Sequence, residues 1–228
     1  MDGAVANPYV GPRTFTYAEQ DRFFGREREA QDLLSLVISE RLVLFYAQSG
    51  AGKSSLINTR LVPQLKAAGY AVLPVARVGG ELPTGVSAVD NIFLFNLLLH
   101  LDQRKGDPSR FAHMPLADFL ARLTSPDGES FYYDDSALPE EDTSAYEEPI
   151  HVLIIDKFEE IVTTHLERWQ ERAAFFRQLE AAMVADPLLW VVLTLREDYV
   201  AALDPYARLV SNRPVSYTHL TLPTNREV

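Results

Sequence analysis

The sequence of 228 residues contains no cysteine. Disulfide bonds, a thiolate nucleophile and cysteine-ligated zinc or iron–sulfur sites are therefore excluded. No apolar run approaches the roughly 18 residues that a membrane-spanning helix needs, and residues 1–15 lack the basic and apolar stretches of a secretion signal. With 47% hydrophobic and 23% charged residues, the composition is that of an ordinary globular domain. We therefore expect a cytoplasmic protein with no membrane partner.

Clustered positive charge is also lacking, and the net charge of −11 comes from one segment. Residues 125–149 hold nine of the 32 acidic residues and no lysine or arginine, which leaves 23 acidic against 21 basic residues elsewhere. A nucleic-acid surface needs clustered Lys and Arg to neutralise phosphates, so this balance counts against a nucleic-acid partner. The acidic segment is also rich in serine and proline, which is typical of a mobile loop.

Short apolar runs alternate with helical patterns along the chain. The runs of strand length are residues 42–47, 71–76, 150–155 and 188–195. Helical periodicity begins at Gly25, resumes near Gly52 until Pro63 ends or kinks it, and returns over residues 92–101 and 168–185. Strands that are apolar on both faces and separated by helices predict an α/β fold. We expect a doubly wound parallel sheet with helices on both faces.

The strongest motif is AQSGAGKS at residues 47–54. A phosphate loop needs small residues, so that successive backbone N–H groups can point at phosphate oxygens. Gly50 and Gly52 supply the backbone freedom, Lys53 the charge for the β- and γ-phosphates, and Ser54 the hydroxyl for Mg²⁺, although alanine replaces the usual first glycine. The alternative is a glycine-rich structural turn. The residues expected at the nucleotide are Ala47, Gln48, Ser49, Gly50, Ala51, Gly52, Lys53, Ser54 and Ser55.

Two further groups of acidic residues follow the third apolar run. Asp156 directly ends that run, and beside a phosphate loop such a carboxylate holds Mg²⁺, usually through water. Taken alone, Asp156 would more often be a helix cap or a loop residue. Glu159 or Glu160 is a candidate to polarise the attacking water, and the alternative for both is the solvated start of a helix.

Arg196 ends the fourth apolar run. Ligands of doubly wound sheets lie beyond the carboxyl ends of the strands, so Arg196 is placed to sense or stabilise charge on the γ-phosphate. The alternative is a surface ion pair with Glu197 or Asp198.

Together these segments resemble the STAND class of signalling ATPases in the AAA+-related division of phosphate-loop proteins, above all the bacterial novel STAND NTPase group. The resemblance covers nearly all of residues 7–213. It is carried by NPYVGPR at 7–13, FGRE at 24–27, the loop at 47–54, IDKFEE at 155–160 and TLR at 194–196. By this resemblance, Phe24 and Gly25 border the adenine and ribose. Lys157 stands where the pattern leads us to expect glutamine, which places a cation beside the magnesium aspartate.

The same resemblance divides the chain into three parts. Residues 1–22 form a lead segment, 23–213 the NTPase domain with its acidic loop at 125–149, and 214–228 a tail that continues no pattern before it. The tail resembles the translation of a sequencing adapter, with an ordinary frayed terminus as the alternative. We therefore expect truncation before a fifth strand, a helical lid and C-terminal sensor or repeat modules.

The resemblance implies a slowly hydrolysing signal-transduction switch that binds ATP and Mg²⁺. It also implies self-association in the active state and a place at the N-terminus of a larger regulator. The alternatives are an AAA+-like DNA-associated initiator ATPase and a nucleotide-binding scaffold that does not hydrolyse. A preference for GTP is not expected, because the Asn-Lys-x-Asp guanine motif is absent.

Overall fold

A computed structural model describes residues 14–16, 18–19, 25–137, 149–210 and the backbone of 216–219. Its strands are β1 (Leu42–Ala47), β2 (Ala71–Val72), β3 (Leu123–Thr124), β4 (Tyr132–Tyr133), β5 (His151–Ile155), β6 (Leu189–Arg196) and β7 (Ser216–His219). Its α-helices are α1 (Glu27–Ser39), α2 (Lys53–Leu56), α3 (Val62–Ala67), α4 (Ile92–Leu101), α5 (Leu116–Leu120), α6 (Glu160–Thr163), α7 (Gln170–Ala185) and α8 (Val200–Ala207). None of the helices in these ranges is long and apolar enough to cross a membrane.

The main sheet has the strand order β2-β5-β6-β1-β7, and every neighbouring pair is parallel. Successive residues of β1 face two separate cores. Leu42 and Leu44 pack with α4, α5, α7 and α8, whereas Val43 and Phe45 pack with α1, α2 and α3. This confirms the predicted doubly wound sheet with helices on both faces, and it explains why its strands are apolar on both sides.

The helix after the phosphate loop does not end at Pro63. A π-helical segment, Ile57–Leu61, joins α2 to α3, and the N–H of Val62 donates to the carbonyl of Ile57, five residues back. A proline ring crowds the carbonyl four residues before it, and a wider turn relieves that crowding. The predicted kink is therefore a local change of helix type.

Part of the predicted acidic loop forms a hairpin. Strands β3 and β4 pair antiparallel, and the Tyr133 ring is buried against Phe119 and Phe111. The aromatic residues of this segment outweigh its acidic composition, because they bury a large apolar area. Residues 138–148 lie outside the described residues.

A fifth strand occupies the edge of the sheet that was predicted to be empty. The backbone of Ser216–His219 pairs in parallel with Val43–Tyr46. Strand pairing uses backbone N–H and C=O groups, so it does not depend on the origin of the tail sequence. The proposed origin of residues 214–228 stays a prediction.

Candidate functional site

The sheet brings the predicted site residues to one edge. Ala47, the last residue of β1, lies opposite Arg196, the last residue of β6. Ile155 of β5 lies opposite Leu193 of β6, so Asp156 follows at the same edge. The phosphate loop, Asp156 and Arg196 therefore meet at the carboxyl ends of three neighbouring parallel strands, where ligands of such sheets bind.

The loop between β1 and α2 has the backbone of an anion cradle. Gly50 and Gly52 have φ of 76° and 82°, a left-handed region that residues with a Cβ enter only with strain. A turn from Gln48 to Ala51 closes with an N–H to carbonyl distance of 3.3 Å, and Ser49 lies exposed within it. Among the described residues, the N–H groups of both glycines have no hydrogen-bond acceptor. Such free N–H groups suit phosphate oxygens.

Lys53 lies folded back over this loop. Its Nζ donates to the carbonyls of Ala47 at 2.8 Å and Gln48 at 3.0 Å. Burial lowers the pKa of Lys53, and the nearby carboxylates of Glu159 and Asp156 oppose that shift. An arriving phosphate would replace two neutral acceptors with a charged one, which favours the ammonium form.

Ser54 and Asp156 form a pair of hard oxygen ligands. Ser54 Oγ donates to Asp156 Oδ2 at 2.6 Å, and Asp156 is 8% exposed. Mg²⁺ prefers such ligands and keeps several waters, so one hydroxyl and one carboxylate fit it. The described residues contain no cluster of three or more His, Cys, Asp or Glu side chains suited to a metal ion. The remaining ligands would have to be phosphate oxygens and water.

Thr194 is a site residue that the sequence analysis did not single out. It is fully buried in β6, and its Oγ1 donates to Asp156 Oδ1 at 2.5 Å. The same hydroxyl accepts the N–H of Lys157, and the carbonyl of Thr194 accepts the N–H of Phe158 at 2.6 Å. Thr194 therefore orients Asp156 and the turn after it. The available signal was one polar residue within an apolar strand.

Glu159 and Glu160 point to different strands. Glu159 Oε2 accepts the N–H of Arg196 at 3.3 Å, which places it on the β6 side near the phosphate loop. Glu160 is buried, and its carboxylate accepts the Arg77 guanidinium and the N–H of Gly79 at 2.9 Å. The charge of Glu160 is thus already paired, whereas Glu159 lies beside Lys53 and Arg196.

The Arg196 side chain adopts the alternative considered from the sequence. It pairs with Asp198 and lies over the ring of Tyr199, with 5.3 Å between guanidinium and ring centroid. Its backbone lies where the sensor hypothesis requires, at the end of β6. The pair is partly exposed, so it contributes little to stability.

The lead segment reaches the helix that follows the phosphate loop. The N–H of Phe15 donates to Ser55 Oγ at 3.0 Å, and Ser55 is buried. Ser55 was predicted to contact phosphate, and here its hydroxyl contacts the lead segment. Gly25 precedes α1 with φ of 75°, and no atom of the described residues lies within 4 Å of where its Cβ would be. Phe24 lies outside the described residues, and the expected adenine contact stays a prediction.

Comparison with known proteins identifies a family. The family model described as Novel STAND NTPase 1 matches residues 8–228. No curated protein and no solved structure gives a significant match. The matched range covers the phosphate loop, Asp156, both glutamates and Arg196.

Proposed function

Because the chain belongs to the Novel STAND NTPase 1 family, we propose that it binds ATP with Mg²⁺ and hydrolyses it slowly as a signalling switch. Family membership supports a nucleotide-binding NTPase. Our proposal goes further in four respects. The nucleotide is ATP, Mg²⁺ binds with it, turnover is slow, and the chain acts within a larger regulator. The observation that carries it is the contact between Ser54 Oγ and Asp156 Oδ2 beside Lys53.

Each side chain at the sheet edge has a distinct role in this proposal. The N–H groups of the loop and the Lys53 ammonium bind the phosphates, and Ser54 and Asp156 hold Mg²⁺. Magnesium, when bound, neutralises charge on the β- and γ-phosphates. Glu159 polarises the attacking water, because its carboxylate lies at the phosphate side, whereas that of Glu160 is paired with Arg77.

The switch follows from where the γ-phosphate would lie. It would contact the loop after β1, Asp156 after β5 through the metal, and Arg196 at the end of β6. Arg196 would leave Asp198 to make this contact, which costs little because their ion pair is partly exposed. Loss of the phosphate on hydrolysis then changes contacts among three strands at once. We propose that the triphosphate state self-associates, as expected from the family resemblance.

Calorimetric titration with ATP and Mg²⁺, together with an assay for released phosphate, tests this function. We expect saturable binding and slow release in the wild type. Lys53→Ala should weaken triphosphate binding, and Asp156→Asn should bind ATP without the benefit of Mg²⁺. Glu159→Gln should retain binding but release phosphate roughly 10²–10⁴-fold more slowly.

Different negative results would contradict different parts of the proposed function. Binding without any phosphate release would favour the non-hydrolysing scaffold. If ATP with Mg²⁺ gives no heat of binding and no released phosphate, the proposal is rejected altogether. Light scattering with ATP and with ADP tests self-association separately, and an equal mass in both states would contradict it.

A further inference from the structure

We propose that Arg77 is a positioning residue for hydrolysis, which acts through Glu160 to hold the turn that carries Glu159. This inference rests on the proposed ATPase function. Arg77 does not belong to the phosphate loop, and it lies 83 residues before Glu160 in the sequence. Its place in the fold brings it to the site.

Arg77 lies at the edge of the sheet, beside Asp156. Ala76 forms an isolated parallel bridge with Ile155, and its carbonyl accepts the N–H of Asp156 at 2.8 Å. The next residue, Arg77, donates from Nε to Glu160 Oε2 at 3.2 Å and from its terminal nitrogen to Oε1. The guanidinium thus grips both carboxylate oxygens, a geometry that orients as well as attracts.

The segment that carries Arg77 is itself held in place. The N–H of Gly79 donates to Glu160 Oε2, and a Cβ on Gly79 would lie 2.5 Å from that oxygen. Asn96, buried in α4, donates to the carbonyls of Val78 and Gly80. The Glu160 carboxylate therefore binds to a backbone segment that is itself held in place, so this contact can fix the position of the turn that carries Glu160.

The turn between Asp156 and α6 needs support from both sides. Lys157 has φ of 53°, a left-handed conformation that a residue with a side chain adopts at a cost. Thr194 of β6 binds the turn on one side through two backbone N–H groups. Arg77 binds it on the β2 side through Glu160. Glu159 lies between these two anchors, so loss of either one frees its carboxylate to move.

This arrangement assigns separate tasks to neighbouring acids. Three donors already bind the Glu160 carboxylate, two at Oε2 and one at Oε1, which makes it less suited than Glu159 to polarise water. Removing Arg77 leaves the phosphate loop and the Ser54–Asp156 contact in place. The expected defect is therefore in turnover, with little change in nucleotide affinity.

A second ion pair between an arginine and a buried carboxylate supplies a control. Asp102, at the end of α4, is buried and pairs with Arg110, which also lies over the Tyr133 ring. This pair joins α4 to the β3–β4 hairpin. Among the described residues, neither of its side chains forms a hydrogen bond with the turn at 156–160. Arg110→Gln breaks another ion pair to a buried carboxylate, away from the proposed chemistry.

The test measures ATP affinity, kcat and thermal midpoint for wild type, Arg77→Gln, Arg77→Lys and Arg110→Gln. We expect Arg77→Gln to lower kcat by roughly 10-fold and to change the Kd for ATP by less than about 2-fold. Arg77→Lys, which keeps the charge but not the paired contact, should recover part of kcat. Arg110→Gln should lower the thermal midpoint and leave kcat unchanged.

Three results would overturn the inference. One is a folded Arg77→Gln protein with wild-type kcat, and another is an equal loss of kcat in Arg77→Gln and Arg110→Gln. The third is a Glu160→Gln variant as inactive as Glu159→Gln, which would make Glu160 the carboxylate that polarises water. If Arg77→Gln does not fold, Arg77→Lys and Glu160→Gln carry the test. A wild type without turnover would reject the proposed function, and the inference with it.

Discussion

Among single residues, Lys53 makes the contact that should respond most to pH. Burial holds the pKa of Lys53 below its usual 10.5, and a bound phosphate raises it again by favouring the ammonium. ATP binding therefore takes up a proton once the pH exceeds the lowered pKa. Affinity should be constant near neutral pH and fall at alkaline pH, beginning below 10.5. Calorimetry in buffers of different ionisation enthalpy measures both effects.

A control variant separates this effect from general alkaline damage. Lys53→Arg keeps its charge throughout the range, so whatever affinity it retains should not vary with pH below 10.5. The role of Lys53 would be contradicted if the wild-type affinity for ATP did not change up to that pH. It would also be contradicted if the affinity of Lys53→Arg fell in parallel with that of the wild type.

Thr194 allows a test of the proposed magnesium role of Asp156 that leaves the charge of Asp156 unchanged. Thr194→Val removes the hydroxyl that donates to Asp156 Oδ1 while keeping the shape of the side chain. Partners of metal ligands typically contribute 10-fold or more to metal affinity. We expect about a 10-fold higher Mg²⁺ concentration for half-maximal ATP hydrolysis, measured by metal titration at fixed ATP.

The matched variant for this test is Thr59→Val. Thr59 is equally buried, but its hydroxyl donates to the carbonyl of Ser55 within the helix. Its Mg²⁺ requirement should stay at the wild-type value. Equal shifts in both variants would show that the effect of Thr194 is not exerted through Asp156.

At the scale of elements, the β3–β4 hairpin should contribute to stability and not to nucleotide binding. Tyr133 stacks on Phe119 with ring centroids 5.2 Å apart, and its backbone N–H donates to Asp102. Tyr133→Ala should cost about 3–5 kcal/mol of unfolding free energy, because it empties a buried aromatic site. Urea unfolding measures the loss, and the Kd for ATP should not change in the folded protein.

Tyr132, the neighbouring residue, is the control. It is only partly buried, beneath the guanidinium of Arg104. Tyr132→Ala should cost less than about 1 kcal/mol. If the two substitutions were equally destabilising, the hairpin would not be anchored through Tyr133.

The elements that the sequence predicted well are those with a dominant apolar pattern. Strand β1 and helix α4 have the predicted bounds, because nearly every residue of each is buried. Strand β2 is shorter than residues 71–76, because its pairing with β5 contains one extra residue. The N–H of Leu73 donates to β5, and the next N–H that does so is that of Ala76 and not that of Val75. The hydrophobic periodicity before Pro63 predicts a helix, but it does not distinguish the π-helical segment from an α-helix.

The site was predictable to a similar degree. Asp156 and Arg196 could be placed together because parallel strands end at a common edge. The separate directions of Glu159 and Glu160 could not be predicted, since both follow the same strand at adjacent positions. The partner of Glu160 comes from a segment 83 residues away, and no local pattern marks it.

At the scale of the whole molecule, the phosphate loop depends on β1 having a strand on each side. Strand β6 pairs with one edge of β1, and the backbone of β7 pairs with the other. The contact with β7 involves Val43–Tyr46, the residues just before the loop. Without β7, β1 becomes an edge strand with unpaired N–H and C=O groups, and the end that carries the loop is free to fray.

Deletion of residues 214–228 tests this dependence. We expect a lower thermal midpoint, a greater tendency to aggregate and weaker ATP binding, because one edge of β1 loses its ladder of hydrogen bonds. Deletion of residues 220–228 alone keeps Ser216–His219 and should retain the wild-type midpoint. The two deletions differ chiefly in the paired backbone. An identical midpoint for both would therefore show that the β1–β7 pairing does not stabilise the sheet, whatever the source of the tail sequence.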